Sequence, residues 1–353
     1  MYKLITAVLF FFSLNVFANE VNSHSNLTNY LEKIRTQNDI PAMAVAVITS
    51  GEVGYIKGFG YVDEQLTEPT TDESLFRIAS ISKLFTAQAI MKLVEQEKLS
   101  LNDEVGQYLQ AFKRFHITIK QLLTHSSGLS DMIKPVSFDE GRSVKSYLDL
   151  VSETIPRENE SNSFEYSDTN FNILGAVISS VTGKSYEEFI YGNILKPAKV
   201  RKSNFYDGKN AYLSETNPTY KGKLIDQIDQ RPYDLAFNPS EGLVSNVYDL
   251  SQWLKLTLGN DPSILKKQTY EAMLDPQVKT TWGEVYMALG WQVYRNEDGN
   301  VARHPGSIRG YKSLVLAYPE NKNAIILLTN SSDTPRWEIA ESITEILKQN
   351  SEW

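Results

Sequence analysis

Phe76-Arg77-Ile78-Ala79-Ser80-Ile81-Ser82-Lys83-Leu84-Phe85-Thr86-Ala87 is the stretch on which the reading of this chain turns. From it onward Ile81, Leu84, Phe85, Ile90, Leu93 and Val94 recur at helical spacing, which predicts a buried helix beginning at or just before Ser80. Ser80 and Lys83 then lie one turn apart on one face. A serine at a helix start meets the positive end of the dipole and unpaired backbone N–H groups, both favourable to an alkoxide or oxyanion. A lysine held in an apolar wall loses its proton more easily and can help take that of the serine. Alone, the spacing more often marks a helix cap and a solvated lysine. The chain carries its own control in Ser263-Ile264-Leu265-Lys266, which repeats the pattern without the context.

On the N-terminal side, Leu27, Leu31 and Ile34 predict a short helix. The apolar run Ala42 to Thr49, the turn Ser50-Gly51-Glu52 and the segment Val53 to Val62 predict a β-hairpin. Between Leu99 and about Val285 the pattern becomes helical, with candidates at Ile117–Leu123, Val144–Val151, Thr169–Val181, Ser185–Leu195 and Val247–Leu258. Strand signal returns at Leu289–Tyr294, Lys312–Tyr318 and Ala324–Thr329, with turns at Asp298-Gly299 and Asn321-Lys322-Asn323, before a helical tail from Pro335 to Lys348. These elements imply an α+β fold. An antiparallel sheet of about five strands, built from both chain ends (25–98 and 286–353) and flanked by helices, would carry an inserted, mainly helical lobe (99–285). A cleft between sheet and lobe is the default place for a ligand.

The chain has 353 residues, of which 41% are hydrophobic and 22% charged, an ordinary globular composition. Lys3, the apolar run Leu4 to Phe12 and the small-residue site Val16-Phe17-Ala18 predict a signal peptide over residues 1–18, cut after Ala18. The mature domain would then occupy 19–353, exported to the periplasm or the medium, with no membrane span after cleavage because the run is too short for a bilayer. There is no cysteine, hence no disulfide, thiol or lipid-attachment chemistry. A net charge of −8 without a basic run argues against nucleic acid as partner. His24, His116, His125 and His304 show no zinc spacing, and no G-x-S-x-G, Walker or G-x-G-x-x-G motif occurs. No metal or cofactor is expected.

Two further stretches supply polar groups for such a cleft. In Phe164-Glu165-Tyr166-Ser167-Asp168-Thr169-Asn170, Tyr166 would serve as a general base if nearby cations lowered its pKa; alone it is more often a packed aromatic. In His304-Pro305-Gly306-Ser307, which reads as a turn before the strand at Lys312, His304 can donate or relay a proton at neutral pH, and Gly306 would let substrate approach the backbone. His125, in Leu122-Leu123-Thr124-His125-Ser126-Ser127-Gly128-Leu129, reads as a hydrogen-bonded structural histidine at a helix stop.

In this order, S-x-x-K, L-L-T-H-S-S-G-L, Y-S-D, P-S-E-G-L-V-S and H-P-G resemble the serine beta-lactamase-related family. That family comprises class C beta-lactamases, D-alanyl-D-alanine carboxypeptidases and esterases of the penicillin-binding-protein fold, and the likeness runs from about Pro41 to about Thr329. The resemblance implies an acyl-enzyme mechanism with Ser80 as nucleophile, Lys83 as its proton partner and Tyr166 assisting proton transfer. His304 would stand where many relatives have lysine, and the backbone N–H groups of Ser80 and Ser307 would form the oxyanion hole. The substrate implied is a small molecule or short peptide, cell-wall peptides included.

Two positions depart from the family pattern. Asp168 stands where asparagine is common, and it is expected beside Lys83, holding the lysine protonated. Pro305 replaces a hydroxyl residue that helps relatives bind a carboxylate, a task in which Arg309 would take its place. The reading is therefore a secreted serine hydrolase acting on an ester, amide or D-amino-acid peptide. A beta-lactamase proper, and a catalytically silent binder of cell-wall peptides or of a protein, stay open as alternatives.

Overall fold

The computed structural model describes residues 24–63, 65–131, 143–155, 163–205, 216–225, 235–350 and 353. The expected signal peptide lies outside them. Among the described residues the main sheet has eight strands, all antiparallel. Their order is Glu52–Gly60, Ala42–Thr49, Asn323–Thr329, Tyr311–Tyr318, Gly299–Ile308, Gln292–Asn296, Tyr286–Met287 and Val278–Lys279.

Both chain ends meet at the sheet centre, where Met43 opposes Thr329 and Ile48 opposes Ala324. The first strand is apolar from Ala42 to Ile48 because both of its faces are covered. Ala42, Ala44, Ala46 and Ile48 face one core with the helices at Ser82–Glu95, Asp168–Thr182 and Val247–Gly259. Met43, Val45 and Val47 face a second core with the helix at 24–37 and the last helix, Arg336–Gln349. The expected helices form with ends shifted by a few residues, such as Val144–Thr154, Asp168–Thr182 and Val247–Gly259.

Three strands exceed the expected five. Two are pairs of residues, too short to show alternation. The third corrects the reading of His304-Pro305-Gly306-Ser307 as a turn, since all four residues belong to the ten-residue strand Gly299–Ile308. Proline and glycine are breakers in sequence. Here the pairing with Gln292–Asn296 ends at Gln292–Arg303, so Pro305 lies beyond it with one flank of the strand open, and a missing N–H is tolerated there.

Gly306 answers to a close approach. A Cβ on it would lie 2.3 Å from the Ile78 carbonyl oxygen and 2.1 Å from Ser313 Oγ. The Ser313 hydroxyl donates to that same carbonyl at 2.8 Å. The strand is thereby pressed against the backbone two residues before Ser80, which replaces the expected role of Gly306 in admitting substrate. Because backbone must move to accept a methyl group, Gly306→Ala should lower the unfolding free energy by about 1–3 kcal/mol. Urea titration checks this; unchanged stability would mean that the contact does not constrain the strand.

Candidate active site

The backbone before Ser80 enters the site under strain. Ala79 has φ +49°, a left-handed conformation that costs a residue with a Cβ roughly 1–2 kcal/mol. A 3-10 turn, Ala79–Ile81, leads into the α-helix Ser82–Glu95, so Ser80 sits just ahead of the helix proper. The turn is bolted down by Ser82, whose hydroxyl donates to Ala79 O at 2.7 Å and accepts from Leu243 N at 3.0 Å.

The P-S-E-G-L-V-S segment is thus a dock for the S-x-x-K turn. Ile78 N donates to Leu243 O at 3.2 Å, Thr86 Oγ1 donates to Pro239 O at 2.7 Å, and Phe76–Arg77 pairs with Leu243–Ser245. Gly175 allows this, because a Cβ there would lie 2.1 Å from Pro239 Cγ.

Lys83 is completely buried and spends its three N–H groups on three segments. It donates to Ser80 Oγ at 3.0 Å, to Asp168 Oδ1 at 2.5 Å and to Ser240 O at 2.9 Å. Burial pulls its pKa down, but the Asp168 carboxylate and the Tyr166 hydroxyl outweigh this and leave it above the ordinary lysine value. The ammonium is therefore held charged, as expected for a carboxylate at position 168.

Tyr166 lies beside Ser80 and Lys83, near enough for both to act on its hydroxyl, and the Lys83 ammonium lies 5.1 Å from its ring centroid. Its pKa is raised: burial and Asp168 push it up further than Lys83 pulls it down. This corrects the expectation of a phenolate base, for in the free protein the group is a phenol. Sequence could place the cation beside Tyr166 but not the burial that wins.

His304 is also corrected. It is fully buried, and burial together with the Lys83 and Arg336 charges pushes its pKa down to about 3, so it is a neutral imidazole at neutral pH. Its Nδ1–H donates to Pro305 O at 2.9 Å, while Nε2 has no protein partner. The ring centroid lies 6.5 Å from that of Tyr166.

His125 is hydrogen-bonded, as expected for a structural histidine, and it does more. Its Nδ1 accepts from Ser167 N and Asn170 Nδ2, both at 3.2 Å, which fixes the proton on Nε2. Its ring stacks on Tyr166 with centroids 4.3 Å apart, and its φ of +52° is a second left-handed non-glycine at the site.

On the far flank, Ser307 is exposed and its Oγ accepts from Arg336 at 2.9 Å and Lys312 at 3.0 Å. Arg336 also donates to Gly306 O at 2.5 Å. Arg309, the cation chosen from sequence, is exposed in the turn that follows, and the guanidinium bonded to Ser307 is that of Arg336. Arg336 had a signal, since it opens the last helix, where the dipole disfavours a cation. Burial and Arg303 bring its pKa down to about 10, so it keeps its charge. The Ser263 control sits exposed in a loop before the helix Lys267–Leu274 and carries none of these neighbours.

This geometry agrees with the comparisons. The sequence matches the Beta-lactamase family over residues 27–346. The chain belongs to that family. It is 27% identical over 322 residues to "Protein flp" of Staphylococcus aureus (strain MRSA252), covering 88% of this chain and 63% of that protein. The chain thus spans less than two thirds of the curated relatives it matches most strongly. The "octameric penicillin-binding protein homologue from Pyrococcus abyssi" superposes with a TM-score of 0.78 at 28% identity over 93% of this chain and 77% of that one. A "penicillin binding protein from Bacillus halodurans" superposes with a TM-score of 0.76 at 21% identity, over 90% and 98% of the two chains, a likeness of fold. For this member of the Beta-lactamase family, the matched region contains Ser80, Lys83, Tyr166 and His304 together. Among the described residues no helix is long and apolar enough to cross a membrane.

The two neutral histidines tie stability to pH. Below the ordinary histidine pKa the unfolded chain binds protons that the folded chain refuses, so stability falls with pH; for His304 the loss runs from about pH 6.5 towards 3 at up to about 1.4 kcal/mol per pH unit, and His125, also lowered by burial, adds to it in the same direction. Urea unfolding of wild type and His304→Gln at pH 7 and pH 4.5 should show a smaller acid loss in the variant. An equal loss would mean that His304 does not carry the effect.

Proposed function

We propose that this chain is a serine hydrolase that forms an acyl-enzyme on Ser80 and hydrolyses an ester, an amide or a D-amino-acid peptide, meeting its substrate outside the cytoplasm. The observation that carries the reading is the contact of Ser80 Oγ with the Lys83 ammonium at 3.0 Å, with the Tyr166 ring 5.1 Å from the same ammonium.

With Lys83 charged and Tyr166 a phenol, neither waits as a free base. The proton is passed on during the attack. Ser80 Oγ bonds to the acyl carbon and gives its proton to the Tyr166 oxygen, while Tyr166 gives its own to the departing alcohol or amine. The carbon–leaving-group bond breaks and the phenol is restored. The Lys83 ammonium stabilises negative charge as it develops on Ser80 Oγ and on the Tyr166 oxygen. Deacylation repeats the sequence with water, whose oxygen bonds to the acyl carbon as Ser80 recovers its proton. The Ser80 and Ser307 N–H groups receive the oxyanion in this scheme. His304 lends a neutral wall rather than a proton.

Arg336 and Lys312 beside Ser307 supply the positive charge that a substrate carboxylate requires, in place of the hydroxyl that Pro305 lacks. Asp168 opposes anions on the Lys83 side, so neutral esters should be favoured over beta-lactams.

Ser80→Ala should abolish both turnover of p-nitrophenyl esters and labelling by a fluorophosphonate, with Ser263→Ala near wild type. An acyl group mapped to Ser263, or a Ser80→Ala protein that still labels, overturns the assignment.

Asp168→Asn removes the charge that holds Lys83 protonated. Because Lys83 acts as the charged ammonium, the alkaline limb of kcat/KM should then move to lower pH, and the nitrocefin to p-nitrophenyl acetate ratio should rise. An unchanged ratio and an unchanged profile would show that Asp168 sets neither property.

A further inference from the structure

The two short strands at the sheet edge, Val278–Lys279 and Tyr286–Met287, form a hairpin in which Val278 opposes Met287 and Lys279 opposes Tyr286. Its tip is braced. Thr280 N and Oγ1 both donate to Val285 O, at 3.0 and 2.7 Å, and Trp282 N donates to Thr280 Oγ1 at 3.1 Å. Lys279 and Glu284 pair across the loop at 2.8 Å, and Gly283 takes the positive φ of +74° that turns the chain back. The indole presented by this tip is 42% exposed, a costly placement for the largest apolar side chain unless something covers it.

What the indole faces is the reacting centre. Its ring lies 5.9 Å from that of Tyr166 and stands edge-on to Phe164 at 4.8 Å. Phe164 and Tyr166 in turn pack on His125. Phe164, Trp282 and Tyr166 therefore make one aromatic wall, and its Tyr166 end lies 5.1 Å from the Lys83 ammonium that donates to Ser80.

We propose that this wall is an apolar subsite, with Trp282 as its specificity-determining residue, which takes a ring-sized aromatic or branched aliphatic group carried by the substrate next to the scissile bond. The inference rests on the hydrolase reading and narrows its substrate class. A rigid, half-exposed indole offers large contact area at little entropic cost, and the braced hairpin holds it where an acyl group on Ser80 would pass. Arg336 and Lys312 lie on the Ser307 side, so the fitting ligand is amphipathic, with an apolar ring towards Trp282 and an anionic end towards Ser307.

The test uses binding first, because binding does not depend on turnover. N-phenylacetylglycine and N-acetylglycine are titrated calorimetrically into the Ser80→Ala protein with and without Trp282→Ala or Trp282→Phe. The phenylacetyl compound should bind about tenfold or more tightly than the acetyl one. Trp282→Ala should erase most of that difference and Trp282→Phe should keep part of it. Equal affinities at the outset, or a difference that survives Trp282→Ala, would overturn the subsite. A parallel measurement of Ser80-dependent hydrolysis of p-nitrophenyl acetate and p-nitrophenyl phenylacetate separates the two ideas: loss of turnover on both esters sinks the hydrolase reading, while the binding arm still decides the subsite.

Discussion

The site depends on one cation that has no water. An ammonium has three donors, and a buried one needs an acceptor for each of them. Lys83 finds these in Ser80, Asp168 and the Ser240 carbonyl, which belong to the nucleophile turn, the Asp168–Thr182 helix and the short helix Asn238–Glu241. One side chain therefore fixes three segments relative to one another. Its net contribution to stability is small or negative, because desolvating two charges offsets their attraction. What it enforces is geometry: the arrangement with every donor satisfied is the one in which Ser80 stands beside its proton partners.

Charge around that centre is divided by flank. On the lobe side Lys83 and Asp168 neutralise one another, and the two nearest histidines are uncharged because burial and the ammonium both oppose a proton on them. On the sheet side Arg336 and Lys312 keep their charges over an exposed serine. Arg336 and Arg303 also lie on the half-exposed Trp337 ring, at 5.4 and 4.5 Å. A ligand thus meets an apolar, electrically balanced wall on one side and a cationic one on the other.

Much of this was legible in the order of motifs. The spacing of Ser80 and Lys83 gave a shared helical face, and Asp168 was expected next to the lysine from the place it takes in the second motif of the family it resembles. The strand carrying His304 was hidden because Pro305 and Gly306 look like a turn, and only the neighbours explain why they are tolerated. The protonation states were hidden as well: Tyr166 has a cation at hand, yet burial and a carboxylate decide its pKa, and burial is a property of the assembled core. Arg336 and Trp282 were missed because neither belongs to a motif, and a hairpin of two-residue strands has no periodicity to detect.

Gly306 packed against the Ile78 carbonyl, and the Ser313 hydroxyl donating to it, join residues more than two hundred positions apart in the chain. Contacts of such sequence separation form late and slowly, because the entropy of closing a long loop is lost before the contact returns anything. The turn that strains Ala79 is held from the lobe by the Leu243 segment, but on the sheet side it meets its partner only when the strands Gly299–Ile308 and Tyr311–Tyr318 have docked. A growing or partly threaded chain accordingly holds Ser80 in unassembled surroundings, and the site takes its shape as a single event when the C-terminal segment closes the sheet.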